Sequence, residues 1–319
     1  MADEKLIVDF WDVGQGDCSV VRLPDNSLVI IDVGPRTSPL IDWLQEKPRK
    51  IHSIVITHND ADHAGGLPAL VKLPGLTIGT VYMLEDRNKT DDQFINIFRA
   101  VREEQKKARF DVIRLEKDRL IWESATKALD LIAIYPSFSE NIEAMKPNET
   151  SAILCLRQKG KVGVIWPGDA PMQIVAEKCN GLTPSILTGP HHGGPVDRKK
   201  KDFKTWVAAM QPERLFVSVG TKRNYNLPAP DYLSQRAGHG CRVVCSQLTK
   251  HCDNEHVNKD LPVLQTAALL GLRPPRSGTP CRGCLRVTVS ETEMITDAYD
   301  AEHQNRVEKL RRPLCLGKQ

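Results

Sequence analysis

Rings and long apolar runs are what this 319-residue chain has least of. Aromatic residues make up 5% of it, too few for an evident stacking platform for single-stranded nucleic acid. No apolar run approaches the roughly 20 residues that cross a bilayer, so no membrane partner is expected. The chain does not open with a basic stretch leading into an apolar one, and a cytoplasmic location is expected. Internal repeats and low-complexity tracts are also missing. Charge of one sign is scarce: 44 Lys and Arg against 40 Asp and Glu leave a formal +4, which permits a polyanionic substrate without requiring one. Nine cysteines cannot all pair within one chain, so free thiols or metal ligation are expected rather than a disulfide framework. What remains, 40% hydrophobic residues over this length, is enough for a substantial core.

Strand signals over residues 6–11, 18–23 and 27–32, separated by Gly- and Asn-containing turns, predict an antiparallel meander. Helices are predicted over 40–45 and 67–73, with a buried strand at 54–56 between them. A longer helix is predicted over 91–110 from Phe94, Ile97, Phe98 and Val101, with Arg102, Lys106 and Lys107 on its far side. Strands return at 129–135, 152–156, 162–166 and 215–219. Strands and helices interleave in both halves, which fits two packed sheets with helices outside better than a doubly wound sheet. A hydrolase domain is read over 1–250 and a C-terminal extension over 251–319, with a Pro/Gly/Arg-rich linker at 271–280, a strand at 285–290 and a helical tail near 297–311.

Residues 56–66 stand out. His58, Asp60, Asp62 and His63 fall within six positions, directly after an apolar run and before Gly65 and Gly66. Imidazole and carboxylate together are ligands for first-row metals, and a turn at a strand end can aim several at one point. A polar helix cap is the plainer reading of Asn59 and Asp60, but four ligand-type side chains exceed what a cap needs. Two later segments can supply further ligands: Asp169 after Trp166-Pro167-Gly168, and the pair His191-His192 after Pro190. Each alone is an ordinary turn or surface pair; together they suggest one centre.

These segments, in this order and with Asp12-Val13-Gly14-Gln15-Gly16-Asp17 and Ile31-Asp32-Val33-Gly34, resemble the metallo-β-lactamase superfamily, most closely its ComEC-like branch of competence-protein nuclease domains. The resemblance covers about residues 5–250. It implies an α/β, four-layer αββα sandwich and a two-metal hydrolytic site. Carried over by position, it implies that His58 and Asp60 bind the first metal, Asp62 and His63 the second, with Asp169 between them. His191, with His192 as its competitor, completes the second site. Asp62 and Asp169 then hold the catalytic pair, and His192 either meets a phosphoryl oxygen or leaving group or plays a structural part. Asp17 and Asp32 are expected to shape loops or to support the ligands from behind, and not to bind metal themselves. Asp60 stands where the superfamily commonly has His, no third histidine lies near 148–151, and Leu227-Pro228 replaces a common His-Pro. A carboxylate-rich centre favours Mn²⁺ or Mg²⁺, with Zn²⁺ also able to occupy it.

The expected activity is that of a metal-dependent phosphodiesterase, a nuclease acting on DNA. A small-phosphodiester or other ester hydrolase is the alternative, as is a metal-binding module that works with a regulatory partner encoded nearby. Lys199 and Lys200, in the run Arg198–Lys201, are candidates to hold a phosphate backbone, although such runs are commonly solvated faces. Asn224 and Tyr225 are candidate donors to substrate, or parts of a buried turn. Cys281 and Cys284 have CxxC spacing and, with Cys245 and Cys252, could hold a structural zinc; His251 and His256 are substitutes, and free thiols are the alternative.

Overall fold

The computed structural model describes the chain except residues 1–3, 47–48, 85–90, 145, 195–207, 222–226, 253–265, 311–312 and 317–319. Six strands lead: β1 (Leu6–Phe10), β2 (Cys18–Arg22), β3 (Leu28–Val33), β4 (Lys50–Val55), β5 (Thr77–Met83) and β6 (Asp111–Arg114). Seven more form a second sheet: β7 (Leu120–Glu123), β8 (Leu129–Tyr135), β9 (Ile153–Gln158), β10 (Lys161–Trp166), β11 (Ile186–Thr188), β12 (Arg214–Val217) and β13 (Arg242–Cys245). The chain then returns to the first sheet with β14 (Leu285–Val289) and β15 (Met294–Thr296), giving the order β15-β14-β1-β2-β3-β4-β5-β6.

The two sheets are mixed. β1, β2 and β3 pair antiparallel as the meander reading expects, whereas β3 to β6 run parallel, as do β10 to β13. β3 shows why. All six of its residues are buried, because a strand covered on both faces reads as a continuous apolar run. Leu28 and Ile30 face a core shared with Leu40, Trp43, Leu44, Leu67, Ile97 and Val101 from the helical side. Val29 and Ile31 face the opposite way, into a core between the sheets that holds Phe10, Leu154, Val164, Trp166 and Phe216. A third core, with Val175, Tyr232 and Leu233, covers the far face of the second sheet. Three apolar layers separate four structural layers, which is the αββα sandwich.

The long helix runs Asp92–Lys106, capped by the Asp91 side chain accepting from Phe94 N–H at 2.9 Å, and ends four residues before the predicted 110. Beyond it Ala108 takes a left-handed φ of 54°, and Arg109 folds back onto Glu104 at 3.0 Å and the carbonyls of Val71 and Leu73. The helix predicted over 67–73 is the single turn Leu67–Leu70. Short strands such as β6, β7 and β15 have too few residues for a pattern to show in the sequence. Residues beyond 250 are built into the sandwich: β14 pairs with β1 in register Val8↔Val287, and Arg286 grips Asp9 through two bonds of 2.6 and 2.8 Å.

The ligand-bearing turns share one edge because of this topology. β3 and β4 are parallel neighbours, so Asp32 and the His58 turn leave the first sheet at the same end. β10 and β11 are parallel neighbours in the second sheet, and Asp169 and His191-His192 follow their C-terminal ends. In α/β sheets this end is where ligands bind.

Candidate metal centre

Asp32 organises the first half of the centre. It is 1% exposed, and its Oδ1 accepts the Thr57 N–H at 2.8 Å while Oδ2 accepts the Thr57 hydroxyl at 2.6 Å. The same Oδ2 lies 2.7 Å from His63 Nδ1. A carboxylate there fixes the proton on Nδ1 and leaves the Nε2 lone pair free. Thr57, its own proton given to Asp32, can accept from His58 Nδ1 at 3.3 Å. One buried carboxylate thus sets the tautomers of two imidazoles, one directly and one through a hydroxyl. Nothing in the local sequence pattern points to Thr57 or to Ser151, whose hydroxyl accepts the Asp169 N–H at 2.9 Å. Gly168 (φ 52°) sits between them, and a Cβ there would meet Ser151 Oγ at 2.4 Å.

Asp169 lies at the focus. Its Oδ1 is 3.1 Å from His63 Nε2 and 3.4 Å from His192 Nε2; its Oδ2 is 3.5 Å from His58 Nε2 and 3.6 Å from His191 Nε2. Each oxygen faces a different pair of imidazoles. Asp62 Oδ2 adds to the first group, 3.3 Å from His192 Nε2, and Asp60 Oδ2 to the second, 3.8 Å from His58 Nε2. His58, His63 and Asp169 offer ligand atoms within 4.8 Å of one another, and so do Asp17, His63 and His192.

The donor set fits divalent cations. His58 Nε2 and Asp169 Oδ1 are among the buried side-chain atoms without a hydrogen-bond partner, and such atoms at a cluster of ligand-type side chains suit a site for an ion. His63 Nε2 and His192 Nε2 face each other at 3.2 Å. With Nδ1 of His63 protonated toward Asp32, only a proton or a cation can lie between those nitrogens favourably. The field says the same. Burial opposes charge on His63, yet Asp169 and Asp32 hold its pKa well above the usual value. Burial likewise opposes charge on His192, but Asp169 and Asp17 push it to about 10. Burial works against the carboxylates too, and the facing imidazoles overrule it, keeping Asp62 and Asp169 below the usual range. Burial keeps His58 and His191 neutral. No Lys or Arg is among the described residues that line the cleft of about 350 Å³ above the centre: Gln15, Pro35, Asp60, Ala61, Asp62, Asp169, His191, His192 and Leu227.

Two expectations change. His192, not His191, faces His63 and Asp62: its ring is 1% exposed, whereas the His191 ring is 42% exposed and reaches the other oxygen of Asp169. Two successive left-handed residues, φ 48° and 53°, swing the neighbouring rings to opposite sides, which sequence adjacency cannot foretell. His191 thus lies on the side of Asp169 that also faces His58. The cysteine tetrad also changes. Cys252 and Cys281 share one apolar cluster, and Cys315 packs against both it and the cluster holding Cys245. Cys284 points elsewhere, its Sγ accepting the Asp12 N–H at 3.3 Å. Among the described residues no three sulfurs lie at ligand separation. Lys199, Lys200, Asn224, Tyr225 and His256 lie outside the described residues.

Residues 11–134 match the family model of the metallo-beta-lactamase superfamily. A curated relative, competence protein ComA of Neisseria gonorrhoeae, is 22% identical over 257 residues, covering 77% of this chain. The chain spans about a third of that relative's length, 32%. Among solved structures, a metallo hydrolase of the archaeon Ignicoccus hospitalis is 17% identical with a TM-score of 0.45, covering 75% of this chain and 94% of that one. The short form of human tRNase Z is 17% identical with a TM-score of 0.42, covering 68% and 93%.

Proposed function

We propose that this chain, a hydrolase of the metallo-β-lactamase superfamily, cuts DNA phosphodiester bonds with two divalent cations, Mn²⁺ or Zn²⁺. The observation that supports this most is Asp169, whose two oxygens each face a separate pair of imidazoles. His63, His192, Asp62 and Oδ1 of Asp169 would hold one cation; His58, Asp60, His191 and Oδ2 would hold the other. Bound there, such cations supply Lewis-acid polarisation of a phosphoryl oxygen and ionise a water near neutral pH. The chain's own residues do the rest. Asp62, held ionised, stays a ligand instead of a proton donor. Asp60 and His191, 32% and 42% exposed, stand at the cleft mouth where a phosphate would enter. His192 is aimed into the buried half, so we assign it as a ligand and not as a donor to the leaving group.

DNA as substrate rests on the resemblance to the ComEC-like nuclease domain. Lys199 and Lys200 follow Gly194 closely in sequence, and Asn224 and Tyr225 come shortly before the cleft residue Leu227; we assign the lysines to the phosphate backbone and Asn224 and Tyr225 to hydrogen bonds with substrate. Nine cysteines, none of them disulfide-bonded, suit the reducing cytoplasm. The cleft volume, near the lower end of the roughly 300–1,000 Å³ of small-molecule sites, favours a small phosphodiester as the second reading. Purified protein with Mn²⁺ is expected to cleave plasmid or single-stranded DNA, and Asp62→Ala and His63→Ala to abolish cleavage. Intact DNA with turnover of a chromogenic phosphodiester selects the small substrate. Failure on both overturns the hydrolase reading.

A further inference from the structure

We infer that Asp17 is the positioning residue for His192, delivered by the Gly14–Asp17 turn, and that the half of the metal centre it supports loads before the other half. This rests on the two-cation reading above. The His192 ring is 1% exposed and turns Nε2 toward His63, Asp62 and Asp169. Its Nδ1 is buried without a hydrogen-bond partner, and Asp17 Oδ1 lies 3.6 Å away. A shift of a few tenths of an ångström closes that bond. His192 needs such a restraint, because its backbone and that of His191 are both left-handed, a conformation costly for residues with a Cβ.

The turn that carries Asp17 is built against the ligand segment. Asp17 N–H donates to the Asp62 carbonyl at 3.1 Å. Gly16 has a φ of 125°, and a Cβ there would sit 2.1 Å from that same carbonyl oxygen, so only glycine lets the turn dock. Gly14 N–H is held by Asp12 Oδ1 at 3.1 Å. The Gly-Gln-Gly-Asp motif thereby gains a physical purpose: it seats one carboxylate behind one imidazole across the gap between the two sheets.

Asp32 stands behind His63 in the same way, at 2.7 Å. Both imidazoles of the Asp62 half therefore have a carboxylate on Nδ1, which fixes the tautomer and raises ligand basicity. In the Asp60 half His58 has only the Thr57 hydroxyl, and among the described residues no carboxylate backs His191. Both imidazoles of the first half are buried and backed by carboxylates; in the second His58 is buried on a hydroxyl and His191 is 42% exposed.

Calorimetric titration of the full chain with Mn²⁺ alone, paired with EPR of free Mn²⁺, resolves the two events without substrate. Wild type is expected to show one tight and one weak event. Asp17→Ala is expected to weaken the tight event about 10–100-fold and leave the weak one within about threefold. Asp17→Asn keeps an acceptor oxygen and is expected to recover part of the loss. An unmoved tight event in Asp17→Ala overturns the inference, as does equal weakening of both events with a lowered metal-free melting temperature. Two events of equal affinity in wild type overturn this inference alone, whereas no Mn²⁺ binding at all overturns the proposed function.

Discussion

Among the described residues, two clusters of buried charge differ in where their counter-ions come from. At the start of the helix Asp300–Val307, Asp300 accepts from both terminal nitrogens of Arg214 at 2.9 and 2.6 Å and lies 3.3 Å from Arg242. Arg282, 0% exposed, bonds Asp297, reaches Asp300 at 3.4 Å and donates to the Cys284 carbonyl at 2.8 Å. Every carboxylate there meets a guanidinium of the chain itself. At the sheet edge the charge partners of Asp17, Asp32, Asp62 and Asp169 among the described residues are imidazoles. A buried acid with its own arginine is structure; buried acids without one create a demand for cations from outside.

The largest effect is expected where the self-contained cluster is broken. Arg282→Met leaves Asp297 short of its charge partner in a buried setting, and removing one member of a buried pair costs about 3–5 kcal/mol. Denaturant unfolding of the metal-free chain should show that loss. Mn²⁺ binding by the variant should stay as in wild type. A loss under about 1 kcal/mol would mean that the neighbouring arginines replace Arg282, and that the contrast between the clusters is overstated.

Next in size is the effect of supplying what the other cluster lacks. Mn²⁺ at about 100 times its dissociation constant should stabilise wild type by about 2.7 kcal/mol, since it binds the folded chain and not the unfolded one. The shift should vanish in His63→Ala and persist in Arg282→Met, read from unfolding midpoints with and without chelator. Equal shifts in wild type and His63→Ala would place the bound metal elsewhere.

Acidification should separate the clusters. His63 and His192 have raised pKa values, so in the metal-free chain they hold protons at neutral pH that a cation must displace. Mn²⁺ affinity should therefore fall as pH falls, by up to about tenfold per unit for each proton displaced, or about 1.4 kcal/mol. Titration in buffers of different ionisation enthalpy counts those protons, and a count of zero would sink the claim. Asp300 behaves oppositely. Burial raises its pKa, but Arg214 and its neighbours bring it below the ordinary carboxylate value. Its stabilisation is present above the unfolded pKa near about 4 and is lost only as pH falls through the lower folded value. Metal should leave well before this cluster opens.

Much of the sandwich, and most of the side chains gathered at the candidate centre, could be read from residue order, because their determinants are local. His58 to His63, Asp169 and the His pair each follow an apolar strand, and strand ends are what parallel topology gathers at one edge. What stayed hidden depends on rotation or distance. Left-handed backbone at His191 and His192 decided which ring faces His63. Thr57 looks like any strand-end threonine until Asp32, 25 positions away, takes its proton. Cys284 shares CxxC spacing with Cys281 but meets Asp12, 272 residues away. Asp9 and Asp297 look no different from Asp62 in sequence, since their arginines are visible only after folding.

Asp12 falls between the two kinds of cluster and offers the finest test of the contrast. It is 0% exposed, accepts from Gly14 N–H and from Gln247 Nε2 at 2.9 Å, and has neither an arginine nor a facing imidazole. Burial dominates and pushes its pKa to about 7. A raised folded pKa means that the protonated form stabilises the fold fully below the unfolded value of 3.8, and that this contribution is lost as pH rises through about 7. Asp12→Asn keeps an acceptor for both donors and removes the ionisation. If it matches wild type near pH 4, it should exceed its stability at pH 8 by about 4 kcal/mol, about 1.4 kcal/mol for each of the roughly three pH units between the unfolded and folded values. Unfolding midpoints across that range decide it. A difference that does not grow with pH would show that Asp12 is already compensated, and that a buried carboxylate in this fold can do without either kind of cation.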